Sequence, residues 1–357
     1  MTNKCSNDHA PTMTGHWSLS LGHLLVTGIW ALFICMGCER TSSQELVLYT
    51  SVDQPYADPI VREFENRTGI RVRLVTDTEA TKSVGLTERL RAEKEHPQCD
   101  VWWGNEPFNT INLAAEGLLQ PYDSPSATDV FQMYKDPDHR WAGNGLRARV
   151  IVSFAAPAMP AWPQGLLEFA DIGAHFPIAM ARPTAGTTGG HVAAIYVLLG
   201  PERADQFFRD LHDHNVRLLG GNSVVADMVG RGTFYFGLTD NDDVESAREN
   251  GQKVDLHLPD QFSMGTLMLP TTVGLVSGTQ KTETAKKLID YLLSQQVEQK
   301  LLDAKFVRWS VRKENDVKAM QVDYREVARV MPQAIRRATE ILEGRDMTPS
   351  PSGKGPG

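Results

Sequence analysis

The sequence has few cysteines, fewer basic than acidic residues, and none of the common hydrolase or nucleotide-binding motifs. Four cysteines in 357 residues are too few and too irregularly spaced for a disulfide scaffold or for a zinc site of paired Cys-x-x-Cys units. The formal net charge of -8, from 36 Lys+Arg and 44 Asp+Glu, argues against nucleic acid as a partner. Gly-x-Ser-x-Gly, His-Glu-x-x-His and Gly-Lys-Ser/Thr are absent, so no enzyme class is indicated.

The first forty residues contain an apolar stretch, 19–37, that has no Asp, Glu, Lys or Arg. This pattern predicts a secretory signal peptide over 1–37. Gly37-Cys38 and the polar residues after it resemble a bacterial lipobox, so Cys38 is predicted to carry lipid and 38–44 to be a linker. The alternative is a retained transmembrane helix, because about twenty apolar residues can span a bilayer.

The rest of the chain alternates between strand and helix patterns, and its length suggests two domains. Such alternation predicts an α/β fold in which helices cover mostly parallel sheets. One of Trp102 and Trp103 is expected in the core and the other towards a cleft, and Cys99 is expected to be an inert core residue. The predicted strands are 45–50, 70–75, 99–103, 147–152, 177–181 and 233–238, with apolar segments at 265–270 and 272–277; the predicted helices are 56–69, 82–95, 190–199, 202–212, 283–305 and 323–343.

Polar loops follow or precede these elements where the apolar runs stop. Ligands of open α/β sheets bind beyond the carboxyl ends of the strands, so these loops are the candidate site. They are 51–55, 104–107, 183–190, 220–223 and 239–243.

Three segments of the chain resemble the ferric-iron-type substrate-binding proteins of ABC importers, which have the type II periplasmic binding protein fold. They are YTSVDQPYADPIVREFENRTGIRV, CDVWWGNEPFNTINLAAEGLLQPY, and GTLMLPTTVGLVSG followed by TAKKLIDYLLSQQVEQKLL. The resemblance spans about 45–317. It implies a monomer whose two lobes close over one ligand, hinge crossings near 147–152 and 265–269, and an ABC permease and ATPase as partners.

The resemblance also divides the chain into lobes. Lobe 1 is predicted to comprise 45–147 and 270–315, and lobe 2 to comprise 148–269 and 316–343. Residues 344–357 lack an apolar pattern and are predicted to be a disordered tail.

The site that the resemblance implies departs from the iron binders of the family. Those proteins hold iron with adjacent tyrosines, often with a His and a Glu, and some hold an anion beside it. The tyrosine loop here contains Asp240, Asp242 and Asp243, which are predicted metal ligands. The remaining predicted ligand residues are Asp53 at the His position, Asn105 and Glu106 at the Glu position, and Thr184, Thr187, Thr188, Asn222 and Ser223 in the two anion loops.

The residue chemistry leaves several alternatives open. Three crowded carboxylates can hold a hard cation or accept hydrogen bonds from an amine or sugar, but one of them can equally cap a helix. Asp53 and Glu106 have the same capping alternative. Hydroxyls and free N–H groups at helix N-termini favour an anion, or simply cap their helices.

The sequence therefore predicts a lipid-anchored, non-enzymatic solute-binding protein in the periplasm or at the cell surface. Its ligand is predicted to be iron or another metal ion, with or without an anion. The alternatives are a binder of a small organic or phosphorylated anion, a metal-assisted hydrolase, and a lipoprotein that senses its ligand for a membrane receptor. The lipid on Cys38 is the one covalent group expected.

Overall fold

The computed structural model describes residues 45–77, 85–155, 162–184 and 186–345. The predicted signal peptide, Cys38 with its linker, and most of the predicted tail lie outside these residues. The strands are β1 Leu46–Thr50, β2 Val72–Thr76, β3 Val101–Gly104, β4 Leu119–Gln120, β5 Ala142–Phe154, β6 Ile178–Ala181, β7 Arg217–Leu219, β8 Phe236–Asp240, β9 Val254–His257 and β10 Met268–Val276. The α-helices are α1 Gln54–Thr68, α2 Gly85–Ala92, α3 Pro107–Ala115, α4 Leu166–Ile172, α5 Gly186–Leu199, α6 Pro201–Asp213, α7 Asn222–Gly230, α8 Asn241–Glu249, α9 Thr282–Leu292, α10 Gln295–Asp303 and α11 Tyr324–Leu342.

The ten strands of the described residues form a mixed sheet, and each half of this sheet contains three parallel strands. The first half has the order β2-β1-β3-β10, in which β1, β2 and β3 are parallel and β10 runs antiparallel to β3. The second half has the order β5-β8-β6-β7, in which β6 is parallel to both β7 and β8. Every residue of β1 is buried, as expected for a parallel strand covered on both faces.

The long strand β5 connects the two halves of the sheet. Its first part pairs with β10, up to Ala148 opposite Met268. From Arg149, which lies opposite Asp240, it pairs with β8 instead. Because the change of partner falls between Ala148 and Arg149, Arg147 and Arg149 lie where the two halves meet. Just before β10, the backbone N–H of Thr266 donates to the carbonyl oxygen of Lys318 at 2.8 Å.

Two apolar cores lie on opposite faces of the sheet. Trp102 belongs to one core and Trp103 to the other, and both side chains are completely buried. The expectation that one of them points to the cleft is therefore wrong, because helices cover both faces of the sheet. Cys99 is a buried free thiol in one of these cores, so its expected core position is confirmed, and burial raises its pKa well above the ordinary value.

The last helix, α11, packs against helices from both halves. It lies against α5 and α6 of the second half and against α3 of the first. Phe108 of α3 meets Tyr324 of α11 edge-on, with ring centroids 5.8 Å apart. The ring of Phe108 also packs on the backbone of α5 at Gly190, where an added Cβ would lie 2.1 Å from this ring. The halves are thus in close contact along this side.

Several predicted elements differ in extent from those observed. The helix predicted over 283–305 is two helices, because Ser294 ends the first and caps the second, accepting from the Val297 backbone at 3.3 Å. The two apolar segments around 271 form the single strand β10, with an irregularity between Pro270 and Thr272. None of the helices in the described ranges is long and apolar enough to span a bilayer.

Candidate functional site

A cleft of about 450 Å³ opens where the ends of β1 and β2 face α8. The N-terminus of α1 forms part of one wall, and Asp242 and Ser246 of α8 form part of the other. Of the described residues that line it, none is Lys or Arg. Five carboxylates line it, two from the side of β1 and β2 and three from α8: Asp53, Asp77, Asp242, Asp243 and Glu249.

The carboxylate of Asp240 lies outside that lining and is surrounded by donors. Its Oδ1 accepts from Nη1 of Arg149 at 2.7 Å. Its Oδ2 accepts from Thr187 Oγ1 at 2.7 Å, Arg147 Nη2 at 3.0 Å and Asn222 Nδ2 at 3.3 Å. Burial alone would raise the pKa of Asp240, but Arg149 and Arg147 hold it below its ordinary value.

Asp242 is a buried carboxylate that reaches both the cleft and Arg147. Arg147 donates to both of its oxygens, with Nη2 at 2.6 and 2.7 Å and Nε at 3.0 Å. Burial raises the pKa of Asp242 to about 6, and Arg147 acts in the opposite direction. The guanidinium partly neutralises the cleft wall without entering the cleft lining.

Asp243 combines a helix-capping role with a place in the cleft. Its side chain accepts from the Thr239 hydroxyl at 2.9 Å and from the backbone N–H of Asp240 at 3.3 Å. The second bond caps the start of α8. One carboxylate oxygen from each of Asp240, Asp242 and Asp243 lies within 4.8 Å of the others. The three predicted metal ligands are thus close together, although two of them are already paired with arginine.

Of the three ligand residues predicted in the first half, the structure places one in the cleft lining and two outside it. Asp53 is the N-cap of α1 and lines the cleft. Asn105 lies outside the lining, and its side chain accepts from the lining residue Ser51 at 3.1 Å. Glu106 is buried and caps α3, accepting from the backbones of Phe108 at 2.6 Å and Asn109 at 3.2 Å. Burial raises the pKa of Glu106 to about 7, although these backbone bonds act to lower it.

The predicted anion-binding residues fall into two groups. Thr187 and Asn222, at the starts of α5 and α7, bond to each other at 2.9 Å and both donate to Asp240. Thr188 donates to the side chain of Asn222 at 3.0 Å. Ser223 is exposed and lines the cleft, whereas Thr184 is exposed just before α5.

Sequence reasoning missed Arg147 and Arg149 as site residues. Both are buried, with 2% and 1% of their surface exposed. They are two residues apart in a strand, so their side chains lie on the same face. The sequence signal that could have revealed them is a pair of charged residues inside an apolar run. Such charges need buried partners, and the acidic loop 240–243 supplied them. Asp77 and Glu249 were also missed, and no motif marks either residue.

The chain matches the family model described as "Bacterial extracellular solute-binding protein" over residues 46–306. The chain belongs to this family. Iron uptake protein A1 of Synechocystis sp. is 24% identical over 262 residues, 71% of this chain and 72% of that protein. The putative 2-aminoethylphosphonate-binding periplasmic protein of Salmonella typhimurium is 25% identical over 295 residues, 79% of this chain and 77% of that protein.

A solved structure of another protein has the same fold as this solute-binding protein. The ferric binding protein from Campylobacter jejuni has a TM-score of 0.73 and 20% identity, covering 83% of this chain and 99% of that one. The predicted type II periplasmic-binding-protein fold and the predicted class, an extracytoplasmic solute-binding protein of the kind that serves ABC importers, are confirmed. The family is one of solute-binding proteins and not of enzymes.

Proposed function

We propose that this solute-binding protein captures a metal ion, iron or another hard cation, in the cleft and delivers it to an ABC permease and ATPase. One observation carries the proposal: five carboxylates and no Lys or Arg line the described part of the cleft. Carboxylate oxygens are the ligands that hard cations prefer. An anion would find no positive side chain among these lining residues.

The proposed ligands come from both sides of the cleft. Asp242 and Asp243 face it from α8, and Asp53 faces it from the start of α1. Asp240, also predicted as a ligand, remains bonded to Arg147 and Arg149. Ligands on opposite walls would draw the walls together, so cation binding favours the closed cleft.

This closure uses the predicted lobes, 45–147 with 270–315 and 148–269 with 316–343. The change of strand partner in β5 between Ala148 and Arg149 supports a hinge at this place. Asp53 then belongs to one lobe and Asp243 to the other. The names of the Synechocystis and Campylobacter relatives, an iron uptake protein and a ferric binding protein, support a metal cargo.

The second candidate ligand is a small phosphorylated or phosphonate anion. The starts of α5 and α7 meet beside Asp240, and helix N-termini attract anions. The name of the Salmonella relative points to an aminophosphonate. The residues predicted for this candidate are those of the two anion loops: Thr184, Thr187, Thr188, Asn222 and Ser223.

Thermal unfolding separates the two candidates. The chelated protein is heated alone, with ferric citrate, with citrate alone, with divalent metal salts, with inorganic phosphate and with 2-aminoethylphosphonate. A ligand that binds only the folded state stabilises it by about 2.7 kcal/mol at a hundredfold excess over its Kd. We expect a rise of the midpoint with one metal and no rise with either anion or with citrate alone; a rise with an anion alone would refute the metal cargo.

We further propose that the protein is exported by the signal peptide 1–37 and held at the membrane by lipid on Cys38. The lipobox-like sequence Gly37-Cys38 supports this proposal. The proposal is tested by radiolabelled palmitate in the producing cell. Wild type is expected to incorporate label and to remain with membranes, whereas Cys38→Ser loses both; label in the variant would disprove the assignment.

A further inference from the structure

The carboxylate of Asp240 occupies a position built for an anion. Two guanidinium groups, a hydroxyl and an amide donate to it, from Arg147, Arg149, Thr187 and Asn222. Three helices begin around it, since Thr187 lies in the first turn of α5, Asn222 starts α7, and Asp240 itself precedes α8. Charged donors together with helix N-termini are the combination that binds phosphates and carboxylates in proteins.

The position is sealed from solvent. Asp240 has 2% of its surface exposed, and the two arginines have 2% and 1%. Arg149 is fixed on its other side by His191, whose Nδ1 lies 3.4 Å from Nε. Burial and the charge of Arg149 lower the pKa of His191 to about 3, so its imidazole is neutral and can accept this bond. The arginines are therefore held in place around an anion that belongs to the chain.

We propose that Asp240 is a built-in anion that keeps external anions away from Arg147 and Arg149, behind the wall of the cleft. It neutralises the positive charge behind Asp242, so the cleft presents carboxylates and attracts cations alone. This inference rests on the proposed capture of a cation, and it adds that the cation binds without a partner anion. Asp240 thus determines specificity although it does not line the cleft.

The test removes the internal anion and offers an external one. Asp240→Ala leaves both guanidinium groups without this carboxylate, and formate has the size of the group that was removed. Equilibrium unfolding in urea is measured with increasing sodium formate or inorganic phosphate, against sodium chloride at equal ionic strength. Unfolding and refolding give the anion access to the buried position. Glu314→Ala is the matched control, because it removes an exposed carboxylate that lies outside the cleft lining.

We expect formate to raise the unfolding midpoint of Asp240→Ala in a saturable way, with an apparent affinity at least about tenfold above that of wild type. Wild type and Glu314→Ala should respond to formate and phosphate no more than to chloride. If Asp240→Ala is unfolded without added anion, formate should restore its folding. No response of the variant to formate, folded or unfolded, overturns the inference, and so does saturable phosphate binding by wild type.

This readout is independent of the cargo. Anion rescue of Asp240→Ala in a protein that binds no metal would support the built-in anion and refute the metal cargo. Metal binding by wild type, together with no anion rescue of Asp240→Ala, would support the metal cargo and refute the built-in anion.

Discussion

Arg147 donates to both carboxylate oxygens of Asp242, at 2.6 and 2.7 Å, from a strand that connects the two halves of the sheet. A further nitrogen of the same guanidinium donates to the carbonyl oxygen of Asn105 at 3.2 Å. One side chain therefore joins α8, the end of β3 and Asp240. It also packs over the ring of Phe306, 5.0 Å from the centroid. The wall of the cleft depends on this arginine.

Replacing Arg147 should destabilise the protein strongly. Arg147→Met leaves the buried Asp242 carboxylate without its partner, and breaking a buried pair in this way costs about 3–5 kcal/mol. Urea unfolding measures the change in the free energy of unfolding. The exposed Arg336 provides the control, since Arg336→Met should change that free energy by no more than about 0.5 kcal/mol. A loss below about 1 kcal/mol for Arg147→Met would contradict this role.

Replacing the cleft carboxylates should weaken cation binding while the fold persists. Asp53→Asn and Asp243→Asn each remove one charged ligand from opposite walls, and each should lower the affinity for the metal at least about tenfold, or 1.4 kcal/mol. Isothermal titration measures the affinity. Glu314→Gln, at an exposed acidic residue, is the control and should bind as wild type does. Unchanged affinity in both cleft variants would remove these residues from the site.

The buried Glu106 should make stability depend on pH. Its pKa is about 7 in the folded protein and near its ordinary value of 4.5 when unfolded, so the folded state holds the extra proton between these values. The contribution of Glu106 to the free energy of unfolding therefore falls as pH rises from 4.5 to 7, by at most about 3 kcal/mol at 1.36 kcal/mol per pKa unit.

Glu106→Gln tests this dependence. The amide oxygen can still accept from the start of α3, but it carries no buried charge. Urea unfolding of both proteins at pH 5 and pH 8 should show a gain in the stability of the variant, relative to wild type, at the higher pH. An equal difference at both values would count against titration of Glu106.

Gly190 should be intolerant of any side chain. A Cβ there would lie 2.1 Å from the ring of Phe108, so Gly190→Ala must displace a buried aromatic residue. Overpacking of this kind costs about 1–3 kcal/mol, which should exceed the gain of about 1 kcal/mol that Ala has over Gly in a helix. Urea unfolding measures the net loss. At Gly220 a Cβ meets nothing within 4 Å, and Gly220→Ala should not destabilise; equal effects at the two positions would contradict the Phe108 contact.

The alternation of apolar strands and amphipathic helices predicted the fold class well because burial imposes a period on each element. β1, β6 and α11 lie within a residue or two of their predicted ranges. The short strands β7 and β9 were missed, since three or four residues with one or two partly exposed apolar side chains give little signal. The break between α9 and α10 was also missed, because Ser294 resembles any polar residue on an exposed helix face.

The loop positions of the site were predictable, but the partners of each side chain were not. The sequence placed Asp53, Asp240, Asp242 and Asp243 at strand ends, and the structure brings the last three within 4.8 Å of one another. It could not show that Arg147, some ninety residues earlier, pairs with two of them. Nor could it show that Glu106 caps a helix while Asp53 faces the cleft, since both occupy the same kind of position.

The sequence by itself determined the α/β architecture, the acidic character of the loop at 239–243 and the apolar N-terminal stretch, because each depends on residue types and their local spacing. The tertiary structure decided which carboxylates face the cleft and which are neutralised inside the protein. That decision depends on two arginines in β5, whose charges must find buried partners wherever the fold places them. Pairing across the sheet is a property of the folded chain, and local spacing carries no information about it.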